Sequence, residues 1–182
     1  MRAGRYVVMG VAGAGKTLIG SRLARALGSE FVEGDDYHPP AYVAKMAAGV
    51  PLDDADRAGW LDALAARIAE ARREGRGLVV AASVLKRAYR DIFRAADPAV
   101  QCILLVAPRP VIAERLEQRA GHYMPPSLLA SQLAILETPD ADEQAWIYDN
   151  ERPPEMIVAD IAARIAHASA AAGESRAREE RR

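Results

Sequence analysis

The sequence predicts an α/β domain: five parallel strands in one sheet, with helices on both faces. Three observations carry that reading. Five short apolar runs, RYVVMG, EFVEG, GLVVAAS, QCILLVA and AWIYD, recur along the chain. The middle ones are continuously apolar, as strands buried on both faces must be. Between the runs lie stretches with apolar residues every three or four positions, and alternating strands and helices specify a parallel sheet.

The elements follow in order. RYVVMG is the first strand, and Thr17 to Leu27 is a helix with Ile19, Leu23 and Leu27 on its apolar stripe. EFVEG is the second strand. Asp53 is placed to cap a helix carrying Trp60, Leu61, Leu64 and Ile68, which Gly75 closes. After GLVVAAS, the stretch Leu85 to Ala95 turns Leu85, Tyr89, Ile92 and Phe93 to one side and Lys86, Arg87, Arg90 and Arg94 mostly to the other. QCILLVA and AWIYD complete the sheet, and Pro153 and Pro154 start a last helix with Ile157, Ile161 and Ile165 buried. Residues 1–171 read as one domain. Residues 172–182 lack an apolar anchor and are expected to be disordered.

Charge and size exclude several function classes. With 24 basic and 25 acidic residues the net charge is −1, which gives no electrostatic basis for binding nucleic acid or an anionic membrane. No apolar run approaches the ~20 residues of a membrane span, and Met1 to Arg5 lead directly into a strand, so a soluble cytoplasmic protein is expected. The single cysteine, Cys102, sits in an apolar strand and reads as a buried thiol.

GVAGAGKT, Gly10 to Thr17, has the spacing G-x-x-x-x-G-K-[ST] between a strand and a helix. Gly10, Gly13 and Gly15 allow a tight turn, so the N–H groups of Val11, Ala12, Ala14 and their neighbours can surround a polyphosphate at the helix N-terminus. Lys16 would neutralise β- and γ-phosphate charge, and Thr17 would ligate Mg²⁺. No N-K-x-D guanine-reading segment follows. The dense strand–helix alternation instead predicts a P-loop NTPase fold built like the nucleoside monophosphate kinases, using ATP and closing a helical lid over an acceptor.

The acidic stretch FVEGDDYHPP leaves the second strand at the same sheet edge, where ligands of open α/β sheets sit. Glu33 and Asp35 are two apart and face the same way on an extended backbone: one carboxylate for the metal, Glu33, and one, Asp35, for a substrate hydroxyl proton. Asp36 reads as a cap or turn residue. His38 has two readings, a polyol contact or a helix-start residue satisfied by the backbone. Lys86 and Arg90, four apart after the third strand, are placed to meet one anionic group. In RLEQRAGHYMPPSLLASQLAILETP, a helix, a break and a second helix over about 115–137 predict the lid, with Arg115 near the nucleotide and Arg119 stabilising the moving phosphoryl group.

The order GVAGAGKT, EGDDYHP, KMAAGVPLDDADRAGWL, SVLKRAYRD, GHYMPPSLLASQLAILETP and DADE resembles the gluconokinases from about Tyr6 to Ile165. The resemblance implies phosphorylation of D-gluconate by ATP in a cytoplasmic homodimer. It implies that Asp35 faces the substrate hydroxyl, that Arg57, Lys86 and Arg90 lie near the sugar acid, and that Arg115, Arg119 and His122 fall in the lid. Alanines stand at 12 and 14 where the family commonly has serine, Tyr42 stands where it often has asparagine, and Ala82 and Val84 flank Ser83 in place of cysteine and alanine. Two other readings follow from the same residues: a kinase for another hydroxy acid, such as a different aldonic acid or shikimate, and a catalytically silent nucleotide-binding regulator.

Overall fold

The computed structural model describes residues 3–118 and 128–179, with side chains described as far as residue 170. Its strands are β1 (Arg5–Met9), β2 (Glu30–Glu33), β3 (Leu78–Ala82), β4 (Gln101–Val106) and β5 (Trp146–Asp149), paired in parallel in the order β2-β3-β1-β4-β5. Each coincides with one of the five apolar runs. β1 lies at the centre, with Val7 opposite Val80 of β3 and Cys102 of β4. The most apolar strands are therefore the ones covered on both faces.

Seven α-helices accompany them among the described residues: α1 (Lys16–Leu27), α2 (Pro40–Ala47), α3 (Asp54–Arg73), α4 (Arg87–Ala96), α5 (Arg109–Glu117), α6 (Leu128–Ile135) and α7 (Pro154–Glu179). Alternate side chains of each strand feed two cores. One face of the sheet packs Val8, Val79 and Ile103 against Ile19, Leu23, Ile157 and Ile161 of α1 and α7. The other packs Val7, Val80 and Leu104 against Trp60, Leu64, Ile68 and Phe93 of α3 and α4. Cys102 is buried in this second core, where loss of solvent pushes its thiol up to about 11 and keeps it protonated.

Local signals explain the helix ends. Asp53 accepts the Asp56 N–H at 2.8 Å while the Asp56 carboxylate accepts the Asp53 N–H at 3.1 Å, a reciprocal cap for α3. α4 begins two residues later than the sequence suggests, because Lys86 is extended and serves as its N-cap. That displacement removes Lys86 and Arg90 from a shared helical face. α7 also departs from expectation. The helix continues to Glu179, through residues for which the sequence predicts disorder. An alanine-rich sequence favours helix by intrinsic propensity beyond Ile165, the last buried residue of α7 among those whose side chains are described.

Candidate active site

The carboxyl ends of β1, β2 and β3 open onto a cavity of about 440 Å³ whose walls include Gly13, Gly15, Lys16, Thr17, Asp35, Ser83 and Arg115. The loop Gly10–Thr17 forms one side. Gly13 and Gly15 have φ of 80° and 83°, in the left-handed region that side chains resist. A Cβ on Gly15 would also lie 2.5 Å from Asn150 Nδ2. Inside the loop, Val11 O accepts from the Ala14 N–H at 3.1 Å and from Lys16 Nζ at 3.0 Å. The Lys16 side chain is thereby folded back along the loop it follows and is buried.

Two groups from the other half of the chain brace this loop. The Ala12 N–H donates to Gln132 Oε1 at 2.6 Å, and Asn150 Nδ2 donates to Ala14 O. Asn150 is held in turn: its N–H reaches Val106 O at 2.7 Å, and Arg115 donates to its carbonyl at 2.7 Å. Sequence reasoning missed both braces. Gln132 had one available signal, a lone amide in the apolar run LLASQLAIL; Asn150 had none.

The acidic turn forms the facing side. Thr17 Oγ1 donates to Glu33 Oε2 at 2.6 Å, so the two residues assigned to a metal do meet. Among the described residues no group of three or more carboxylate, histidine or cysteine side chains gathers as a metal cage. A hydroxyl and a carboxylate are hard oxygen donors, and they fit a Mg²⁺ ion that takes its remaining ligands from phosphates and water. Glu33 caps the 3₁₀ turn Gly34–Tyr37, its Oε1 accepting the Asp35 N–H at 3.4 Å. The turn sits hard against β3, since a Cβ on Gly34 would fall 2.6 Å from Ala81 O. Trp60 Nε1 donates to Gly34 O at 2.7 Å and fixes the turn from behind.

His38 stacks on Trp60 at 4.6 Å between centroids and 8° between planes. It is 9% exposed, and its Nδ1 has no hydrogen-bond partner among the described residues, so the backbone does not satisfy that atom. Burial lowers its pKa below the usual histidine value; Asp35 opposes the shift and Arg57 adds to it. The imidazole is accordingly neutral at pH 7. Arg57 is buried close by, donating from Nε to Leu52 O at 3.4 Å.

Arg90 takes a different place from that expected. Arg90 does not meet an anion alongside Lys86. It is 1% exposed and grips Glu143 through Nε at 2.5 Å and Nη2 at 2.7 Å, with Nη1 bonded to Leu85 O and Glu137 O. Its donors are spent inside the fold, a partner that helical spacing could not reveal because Glu143 lies 53 residues away. Lys86 donates to both oxygens of Asp54, at 2.7 and 2.8 Å. Arg115 lines the cavity. Arg119 and His122 lie outside the described residues. Tyr42 packs on the first core and is not among the residues lining the cavity.

Comparison with known proteins gives this arrangement a family. A family model described as "AAA domain" matches residues 6–139. A gluconokinase of Gluconobacter oxydans is 44% identical over 155 residues, covering 85% of this chain and 87% of that one. The crystal structure of a gluconokinase from Sinorhizobium meliloti superposes with a TM-score of 0.81 at 41% identity, covering 91% of this chain and 93% of the other. A sugar kinase from a Janibacter species gives a TM-score of 0.84, also at 41% identity, with 88% and 93% covered. Agreement over this share of both chains reaches beyond the fold to the enzyme: the chain belongs to the gluconokinase family of P-loop kinases.

Proposed function

We propose that the protein transfers the γ-phosphoryl group of ATP to the primary hydroxyl of D-gluconate, giving ADP and 6-phospho-D-gluconate. The observation that supports this reading most is one cavity lined by Lys16, Thr17 and Asp35 together. In-line attack by the hydroxyl oxygen forms the new P–O bond as the bond to the β-phosphate bridging oxygen breaks. Asp35 orients the hydroxyl and takes its proton late in the transfer. Lys16 and Arg115 face the polyphosphate, and Thr17 and Glu33 would hold Mg²⁺. When bound, Mg²⁺ neutralises charge on the phosphate oxygens.

Arg57 is the candidate for the sugar-acid carboxylate, supported by its position near His38. Lys86 can join it only by exchanging Asp54 for the substrate. The neutral His38, with Nδ1 unpaired among the described residues, suits a sugar hydroxyl.

A coupled ADP-release assay across aldonic acids, shikimate and nucleoside monophosphates tests the substrate. Strong preference for gluconate is expected; preference for any other acceptor would overturn the choice, and ATP binding without turnover on the whole panel would favour a regulator. In the same assay Asp35→Asn is expected to lower kcat by about 10²- to 10⁴-fold.

A further inference from the structure

We propose that Gln132 is a positioning residue for Lys16, acting through the peptide that joins Val11 to Ala12. A trans peptide is planar, and its C=O and N–H point in opposite directions. Here both ends of one such unit are held. Its carbonyl, Val11 O, accepts from Lys16 Nζ at 3.0 Å. Its amide, the Ala12 N–H, donates to Gln132 Oε1 at 2.6 Å. Gln132 is 3% exposed, and Ala12 is buried as well, so water is poorly placed to replace either partner.

Glycines at 10 and 13 bracket this unit with φ of 143° and 80° and lend it little stiffness of their own. Without an acceptor at 132, the buried Ala12 N–H is unpaired, which drives the peptide to rotate towards another partner. Because the unit is rigid, that rotation carries Val11 O away from Lys16. The ammonium then loses one of the contacts that orient it along the phosphate loop. Gln132 stands on α6, 120 residues further along the chain, and its side chain touches the loop rather than the acceptor. Its effect should therefore fall on the nucleotide and on the transfer step.

The inference rests on reading the loop as the ATP site, and a double-mutant cycle in ATP binding keeps the two apart. Gln132→Met preserves length and removes the acceptor. Expected is ATP binding weakened at least about fivefold in the wild-type background and less than about twofold in a Lys16→Met background. In turnover, kcat should fall roughly tenfold with the gluconate KM within about twofold. Equal loss in both backgrounds, or none in either, overturns the proposal, because a merely structural glutamine would act regardless of Lys16. Exchange of the Ala12 amide in the wild-type protein provides a measurement that needs no variant. Slow exchange supports a held peptide, and exchange at the rate of an open loop overturns it even if the variant fails to fold. Wild-type protein that neither binds ATP nor turns over gluconate would instead sink the functional reading, leaving the amide exchange to decide the role of Gln132.

Discussion

Gly15 shows how narrowly single positions of the phosphate loop are specified. Its φ of 83° disfavours any side chain, and the space a Cβ would take is already occupied by the Asn150 amide. Gly15→Ala is expected to strain the loop twice over, once in its own backbone and once by displacing a brace. Destabilisation of about 1–3 kcal/mol should accompany loss of ATP binding, read by thermal melts with and without nucleotide. Restored binding on adding Asn150→Ala would assign most of the damage to the clash. At this scale the sequence was legible where chemistry is local. The Gly-Lys-Thr spacing identifies itself, because neighbouring residues create it, whereas Asp35 lies in the 3₁₀ turn Gly34–Tyr37 and not on the extended backbone expected to align it with Glu33. Arg90 was misread for the opposite reason. Its partner, Glu143, is brought to it only by the tertiary fold.

Between elements, that same pair joins α4 to the turn that precedes β5. Hydrogen bonds from Arg90, and then from Arg94, hold the Glu143 carboxyl at about 2 against an ordinary 4.5, although burial alone would raise it. A depressed folded-state pKa gives stability that is complete above the unfolded value and fades as protons bind. The contribution, on the order of 3 kcal/mol, should therefore be present above about pH 4.5 and disappear as pH falls towards 2. Glu143→Gln is expected to cost about 3–5 kcal/mol near neutral pH, because it leaves a buried guanidinium uncompensated. It should also flatten that acid limb; chemical denaturation from pH 7 down to pH 3 checks both effects. The sequence read the strands well, since a buried parallel strand announces itself by composition alone. It missed α2, whose short span carries one buried residue and so displays little periodicity, and it began the first lid helix near Arg115, whereas α5 runs Arg109–Glu117.

For the molecule as a whole, α7 closes the first core over α1, with Ile157, Ile161 and Ile165 buried in that core. Removing residues 172–182 is expected to shift the melting temperature by less than about 2 °C, since their sequence holds no apolar residue larger than alanine. Ile161→Ala should cost about 2–5 kcal/mol in the same measurement. A large loss on truncation would show that the end of the helix has a second role. The overall topology was readable because strand and helix alternate so regularly. The shape of the site was not, because its walls come from four separated segments.

The two braces on the phosphate loop set a timetable for synthesis. The loop leaves the ribosome well before its supports, Gln132 and Asn150, which follow 120 and 136 positions later. Over that stretch of synthesis the nascent chain carries an intact nucleotide motif without the fold that shapes it. Ribosome-bound chains exposing residues 1–127 should fail to bind immobilised ATP, whereas chains exposing β5 and α7 should be retained. Capture by the shorter chains would mean that the loop shapes itself. If the longer chains alone are held, nucleotide binding begins only when both braces are in place, and a kinase without them cannot draw on the cell's ATP.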